Sequence, residues 1–507
     1  MAGLHTHSLP EHPGNVLRTR WTDGYPRGYG LDTPEGICIV RGMTGQTWSG
    51  QHWRVVAIDT ESLGNRSYVV ITRDGAVAID PPRDFDRVEA VLSEHGVDLD
   101  LVVETHRHAD YVSGGLVLSR EHGVRYLVPS GDPEPQFRFL PALPGERIAG
   151  AGLDLRPVHT PGHTPHHMSY VLQAEGKDVA VFTGGSMLYG AVGRTDLVSP
   201  ELTVPLAHDQ WHSVRGLGLD LDPAVEVMPT HGFGSFCSAT PTTGDAKTST
   251  IAQEREVNPA LTQDEETFVE TMLAGYDTFP SYYARTPDAN AAGPGPVDLH
   301  DTPSLSVAQV AEALATDGTW VVDVRERDDF IASHLKGSVS FPLGSGLGVY
   351  FPWVAPSDAR IVLLAPSDAD IVEARRDLAR VGYDEVAGAF VGSVGELAGA
   401  GDLTSFVPHT FSDLADRLEH HDSVDVVDLR RIGEWQEDHL AVASHVPLQT
   451  LDAAAPSVPN GAWVHCASGM RSVIGASVLQ ARGVDVELIQ DDYERATDAG
   501  LERVVGH

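Results

Sequence analysis

Lysine is nearly missing from this chain. Of 35 basic residues among 507, only Lys177, Lys247 and Lys336 are lysine, against 72 acidic residues, and the formal net charge is −37. A surface of that sign repels nucleic acid and anionic membrane, so neither is expected as a partner. An anionic substrate would need a local arginine to overcome the field. Cysteine is scarce too. Cys38, Cys237 and Cys466 are too few and too far apart for a disulfide framework. A reducing, cytoplasmic setting fits, and any of the three is a candidate working thiol. Long apolar runs are also lacking, and none approaches the length that spans a bilayer. The opening Met-Ala-Gly-Leu-His-Thr-His has neither the basic flank nor the apolar segment of a secretory signal. What is present is an ordinary hydrophobic content of 41%, which excludes disorder throughout. The length exceeds what one core holds, so roughly two to four domains are expected.

Residues 1–50 are rich in Gly, Pro and His with little periodicity, and read as an irregular extension. From Arg54 onward short β-rich runs alternate with helical stretches. Strands are expected at Arg54–Asp59, Ser67–Thr72, Ala76–Asp80, Leu101–Glu104, Leu153–Thr160, Met168–Leu172, Val179–Thr183 and Val225–Pro229. Helices are expected at Phe85–His95, Val204–Leu217, Thr250–Glu256 and Asp264–Leu273. Residues 284–303 contain Thr-Pro-Asp-Ala-Asn-Ala-Ala-Gly-Pro-Gly-Pro and read as a linker by composition. Beyond it lies an internal repeat. Asp323, Arg325, Phe330, His334 and Pro342 recur as Asp428, Arg430, Trp435, His439 and Pro447, all at an offset of 105. Two copies of one α/β domain with a parallel sheet are inferred, over 304–402 and 408–507.

Three histidine clusters each follow an expected strand. They are Thr105-His106-Arg107-His108-Ala109-Asp110-Tyr111, Thr160-Pro161-Gly162-His163-Thr164-Pro165-His166-His167 and Pro229-Thr230-His231-Gly232. A lone histidine is usually structural, and His95, His122 and His159 are read so. Three strand-end clusters in one domain point instead to a metal, because loops at the carboxyl ends of strands converge.

Residues 51–283 resemble the metallo-β-lactamase superfamily, and most of all its persulfide dioxygenases and hydroxyacylglutathione hydrolases. The resemblance rests on Thr-His-Arg-His-Ala-Asp, Thr-Pro-Gly-His-Thr-Pro, Phe-Thr-Gly-Gly-Ser, Gly-Arg-Thr-Asp-Leu (193–197) and Pro-Thr-His-Gly. It implies a four-layer αββα sandwich with the metal at the edge of two sheets. Two positions depart from the pattern: Tyr111 stands where the family has a histidine, and Gly185 where it has a metal-binding aspartate. In the two-metal hydrolases that aspartate bridges the ions, so thioester hydrolysis is disfavoured. The resemblance carries His106 and His163 over as ligands of one divalent metal. Fe(II) is preferred because oxygen chemistry needs a redox metal, with Zn the alternative. His108 is the candidate third ligand. Asp110 and His231 are left as residual ligands or as hydrogen-bonding support behind them. Arg194 has two readings: a clamp for a substrate carboxylate, or a loop-fixing pair with Asp196. Cys237 is read as core or loop packing.

The last copy of the repeat carries Cys466-Ala467-Ser468-Gly469-Met470-Arg471-Ser472 between an apolar strand and a helical run. Amides there, with Ser468 and Gly469 in the loop, form an anion cradle at a helix N-terminus, and Arg471 favours the thiolate of Cys466, the nucleophile. Repeat and loop resemble rhodanese domains, whose loop cysteine carries sulfane sulfur. In the first copy Ala365 replaces the cysteine and Asp370 the arginine, so a structural role is expected there. The whole reads as an αββα metallo-β-lactamase sandwich followed by two α/β rhodanese-like domains. The expected chemistry is oxidation of a small thiol persulfide to sulfite, coupled to sulfur transfer between donors and acceptors such as sulfite and thiosulfate. The rivals are a sulfurtransferase with a metal-free first domain, and a thioester hydrolase. A homo-oligomer is left open.

Overall fold

The computed structural model describes residues 45–132, 135–239, 247–420 and 423–505. The expected extension therefore lies almost wholly outside the described residues, as does Cys38. The first unit is built on two sheets whose inner faces meet. One has seven strands in the order Thr47–Ser49, Arg54–Thr60, Asn65–Thr72, Gly75–Ile79, Leu99–Val103, Arg125–Pro129 and Leu140–Ala142. The other has six, in the order Ser249–Thr250, Glu226–Pro229, Lys177–Gly184, Met168–Ala174, Leu153–His159 and Ile148–Gly150.

Successive strand side chains point to opposite faces. In Asn65–Thr72 this sends Tyr68 and Val70 inward while Val69 and Ile71 face out. Val77, Ile79, Leu101 and Val103 join the inner set and pack on Leu155, Tyr170, Leu172 and Phe182 of the second sheet. Helices Asp86–His95 and Gly115–His122 cover the outer face of the first sheet. Helices Pro200–Asp220, Ile251–Val257 and Glu265–Ala274 cover the outer face of the second. The layers run helix, sheet, sheet, helix, as expected for this unit.

Residues 284–303 are not simply the linker that their composition predicts. Thr286–Ala292 forms a helix with proline in its first turn, where a missing N–H removes no intrahelical bond. Asn290 of this helix donates to the carbonyls of His108 (3.0 Å) and Tyr111 (2.9 Å) and accepts from the Ser113 amide (2.9 Å). The segment thereby buttresses the loop that carries the first histidine cluster.

Two parallel sheets follow. One orders Val339–Ser340, Thr319–Asp323, Arg360–Ala365 and Gly388–Val391. The other orders Pro408–His409, Val486–Ile489, Ala462–His465, Val426–Asp428 and Ala443–His445. The repeated residues have physical jobs. Asp323 ends a strand and pairs with Arg325 at 2.6 Å, as Asp428 does with Arg430 at 2.7 Å. Phe330 stacks on His334 at 4.0 Å, as Trp435 does on His439 at 3.5 Å.

The three regions share one hydrophobic core. It contains Tyr111, Cys237 and Tyr283 of the first, Trp320, Phe351 and Trp353 of the second, and Leu429, Leu448 and Val464 of the third. A buried ionic knot ties the first to the second. Asp84 meets Arg87 at 2.8 Å, Arg380 at 2.6 Å and Arg376 at 3.4 Å. Among the described residues no helix is long and apolar enough to cross a membrane.

Candidate metal centre and cysteine loop

The three histidine clusters do meet. Strands Leu99–Val103, Leu153–His159 and Glu226–Pro229 end at the same edge and deliver His106 with His108, His163, and His231. All four are at most 2% exposed. Ring centroids lie 4.8 Å apart for His106 and His163, 5.1 Å for His106 and His231, and 5.4 Å for His163 and His231.

Each ring is held from behind. His163 donates from Nδ1 to the Arg194 carbonyl at 2.8 Å. His231 Nδ1 lies 3.0 Å from Asn65 Oδ1 and 3.1 Å from Asp110 Oδ2. His106 Nδ1 lies 2.8 Å from Thr105 Oγ1, whose own proton goes to Asp80. These partners place the ring proton on Nδ1 and leave Nε2 as a lone pair. The Nε2 atoms of His106 and His231 then face one another at 3.1 Å. Two lone pairs repel at that distance unless a cation lies between them. The spacing matches two nitrogens adjacent on one ion at about 2.0–2.1 Å each. His108 is turned the other way. Its Nε2 faces Glu104 at 3.2 Å and Asp80 at 3.3 Å, and its buried Nδ1 has no partner among the described residues. The ligating atoms of His106, His108 and His231 lie within 4.8 Å of one another. The donors present fit a single divalent ion.

Electrostatics agree with the geometry at His106 and His163, whereas His108 carries a second proton that an ion at its Nδ1 would have to displace. Burial, then the neighbouring histidines, pushes His106 far down and His163 down to about 3, so both are neutral, as ligands must be. Burial also opposes charge on His108, but Asp80 and Glu104 outweigh it and hold that ring up at about 10. Burial acts on Asp80 as well, yet His108, Thr230 and Thr105 bring it down to about 2.

The two departures have structural readings. Tyr111 stacks on His108 at 4.3 Å and donates to the Asp80 carbonyl at 3.1 Å, so it occupies the space of a ligand without being one. At Gly185 a Cβ would lie 2.2 Å from Cδ2 of His163. The backbone N–H of Gly185 is bound by His167 at 3.0 Å, which commits that histidine to the loop. The place of an acidic side chain is thus taken by the His163 ring itself.

Arg194 is corrected to its second reading. Its guanidinium grips both oxygens of Asp196 at 2.7 and 2.8 Å and donates to the carbonyls of Asp277 (2.7 Å) and Phe236 (3.3 Å), and the residue is 4% exposed. An arginine so enclosed fixes the loop and, through its carbonyl, His163; it does not reach for a substrate. Cys237 lies in the core as expected, but its Sγ is also grouped with ligating atoms of His163 and His231 within 4.8 Å.

In the last unit Cys466 follows strand Ala462–His465 and is 2% exposed. Helix Met470–Ala481 starts at Gly469, whose φ of +91° favours glycine, and among the described residues no side chain caps it. Cys466 Sγ lies 3.7 Å from Ser472 Oγ in the first turn of this helix. The other copy is sealed: Ser367 accepts from the Asp370 amide at 3.3 Å and closes its own helix, behind Ala365. Arg471 forms a fork with Glu434 at 2.6 and 2.8 Å, and Glu434 also takes Arg431 at 3.0 Å. Burial opposes this carboxylate, but the two arginines hold it down at about 2. Arg327 of the cysteine-free copy donates to the Ser468 carbonyl at 3.1 Å. Asp80, Glu104, Asn290 and Glu434 are missing from the residues singled out in the sequence. Glu104 had a signal, since it is an acid at a strand end beside the first histidine cluster, whereas Asp80 ends a strand with no histidine next to it.

The sequence profile of the metallo-beta-lactamase superfamily matches residues 63–232. A probable polyketide biosynthesis zinc-dependent hydrolase of Bacillus velezensis is 30% identical over 177 residues, which is 34% of this chain and 74% of that protein. A mitochondrial persulfide dioxygenase of Homo sapiens is 31% identical over 205 residues, which is 39% of this chain and 70% of that protein. The chain belongs to the metallo-β-lactamase superfamily. A solved metallo-beta-lactamase from Staphylococcus aureus subsp. aureus COL superposes with a TM-score of 0.60 at 23% identity, covering 68% of this chain and 100% of that one. That likeness is one of fold, and it takes in more of the chain than residues 51–283. Within the superfamily the relatives matched also include a hydroxyacylglutathione hydrolase of Haemophilus influenzae, 25% identical over 217 residues, 39% of this chain and 92% of that protein.

Proposed function

We propose that this chain oxidises a low-molecular-weight thiol persulfide to sulfite at one divalent ion, iron before zinc, and moves sulfane sulfur on Cys466. The observation that carries the reading is the pair of lone-pair nitrogens of His106 and His231 at 3.1 Å, beside the unpartnered Nδ1 of His108. It is a single-ion arrangement without a bridging acid. Hydrolysis at two bridged ions would need ligands at 111 and 185, and Tyr111 and Gly185 supply neither. The likeness to a persulfide dioxygenase supports the choice of substrate. Iron in this site would supply the redox capacity that zinc lacks. The protein's part is to aim four imidazoles through Arg194, Asp110, Asn65, Thr105, Asp80 and Glu104, and to exclude bulk water by burial. The overall reaction balances as persulfide, oxygen and water giving thiol, sulfite and two protons.

Residues 304–402 and 408–507 are read as rhodanese-like units, the second active. The Cys466 thiolate attacks the outer sulfur of thiosulfate, the sulfur–sulfur bond breaks, and sulfite leaves. The uncapped amides at Gly469 stabilise the resulting persulfide anion. Sulfite from the metal centre is the acceptor when the transfer runs backward.

The test combines elemental analysis of the purified full-length chain with oxygen uptake on glutathione persulfide and thiocyanate formation from thiosulfate and cyanide. Expected are close to one iron per chain, uptake with sulfite released, and thiocyanate formation that Cys466→Ser abolishes while uptake persists. Iron and zinc at trace levels would remove the oxidation half and leave a sulfurtransferase, the reading that Gly185 favours.

A further inference from the structure

We infer that Cys237 is a sulfur ligand of the metal centre, supplying the anionic charge that position 185 no longer provides. The inference rests on the metal-binding reading above. Neutral imidazoles around a dication leave a buried net charge uncompensated, so an anion is needed close by. Most carboxylate oxygens around the site are otherwise engaged. Asp80 and Glu104 face Nε2 of His108, on the side of the ring away from its unpartnered Nδ1. Asp110 uses Oδ2 to hold His231 at 3.1 Å and to accept from Ser235 at 3.2 Å, and its buried Oδ1, without a partner among the described residues, is the rival anionic donor that the test below must separate from Cys237.

Cys237 is fully buried, and its Sγ lies with ligating atoms of His163 and His231 inside a 4.8 Å group. Sulfur and nitrogen neighbouring one another on one tetrahedral ion would be about 3.6 Å apart, from bonds of about 2.3 and 2.1 Å, a spacing inside that bound. The backbone is arranged for it. The Cys237 carbonyl accepts from the Arg194 amide at 2.9 Å, and the Arg194 carbonyl holds His163 at 2.8 Å, so one residue sets both donors. The Cys237 amide donates to Ser235 Oγ at 3.2 Å, and that hydroxyl in turn donates to Asp110, the carboxylate beside His231. The loop from His231 to Cys237 thus folds back onto the centre. On binding, the thiol proton is exchanged for the ion and leaves to solvent. A sulfur in the set favours iron or zinc over magnesium, calcium or manganese.

Cobalt(II) tests this in the full-length Cys466→Ser chain, where the loop thiol no longer competes. Expected is bound cobalt with a near-ultraviolet sulfur-to-cobalt charge-transfer band. The band should vanish in the additional Cys237→Ser and Cys237→Ala variants, while visible ligand-field bands show cobalt still held by histidine. The serine variant preserves volume, and the band of the starting Cys466→Ser chain needs no change at position 237. Cobalt bound without the band gives the anionic position to Asp110 and overturns the inference, as does a band that survives Cys237→Ala. Failure to bind cobalt at all would defeat the metal-binding reading itself, a distinct result.

Discussion

Replacing Asp84 by asparagine would cut the knot that joins the first unit to the second. Asp84 is fully buried, and the three arginines around it are 5% exposed at their side chains. Burial opposes its ionisation, but Arg380, Arg87 and Arg376 hold the carboxyl well below the usual range. The neutral amide would leave three buried guanidinium groups short of one charge, a change that costs about 3–5 kcal/mol when a buried pair is broken. The cost should fall at the lower end, because Arg376 keeps Asp86 and Arg380 keeps Asp377 at 2.9 Å. Asp377→Asn in the same knot is the control. Burial, despite Arg380, pushes that carboxyl up to about 6, so its charge, although still mostly present at pH 7, is less favourable in the fold than in the unfolded chain. Its replacement should cost under about 1 kcal/mol at pH 7.

The two acids also differ in sign with pH. Asp84, depressed in the fold, stabilises above its unfolded value of about 3.9, and that contribution is lost as pH falls below it. Asp377, raised in the fold, binds its proton first in the native state, so stability from this group grows as pH falls from about 6 toward about 4. Urea unfolding of the full chain, followed by tryptophan fluorescence at several pH values, reads both effects. A loss below about 1 kcal/mol for Asp84→Asn, or equal losses for the two variants, would refute the reasoning.

Two further outcomes concern the site. Asn290→Ala removes three hydrogen bonds from the loop of His108 and Tyr111, and metal affinity by competitive chelation should fall about 10- to 100-fold without loss of the histidines; unchanged affinity would show the buttress to be idle. Gly185→Asp restores the residue usual in the superfamily, yet its Cβ would collide with His163, so thermal unfolding should show about 1–3 kcal/mol of destabilisation and metal content should not rise. A gain in bound metal would contradict the packing argument.

Much of the first unit is legible in the sequence because its signals are local. The strands alternate or run apolar, turns follow them, and histidines placed just beyond Val103, His159 and Pro229 come to share one edge. The repeat is legible because Asp-x-Arg and the aromatic–histidine stack recur at fixed spacing. What stays hidden depends on partners distant in sequence. Thr286–Ala292 reads as linker because Pro and Gly dominate the segment, and nothing local announces that Asn290 meets residues some 180 positions earlier. Arg194 is evenly poised on sequence alone, and only the carbonyls of Phe236 and Asp277 against it decide its role. Glu434 has no local mark of its tie to Arg471, 37 residues on.

The core shared by Tyr111, Trp353 and Val464 limits how this polypeptide is handled. A shortened version ending at any apparent unit border would bare aromatic and aliphatic surface that normally never meets solvent. Dissection into pieces should therefore yield sticky, insoluble fragments, and swapping one segment for a counterpart from elsewhere would demand rebuilding both of its neighbours.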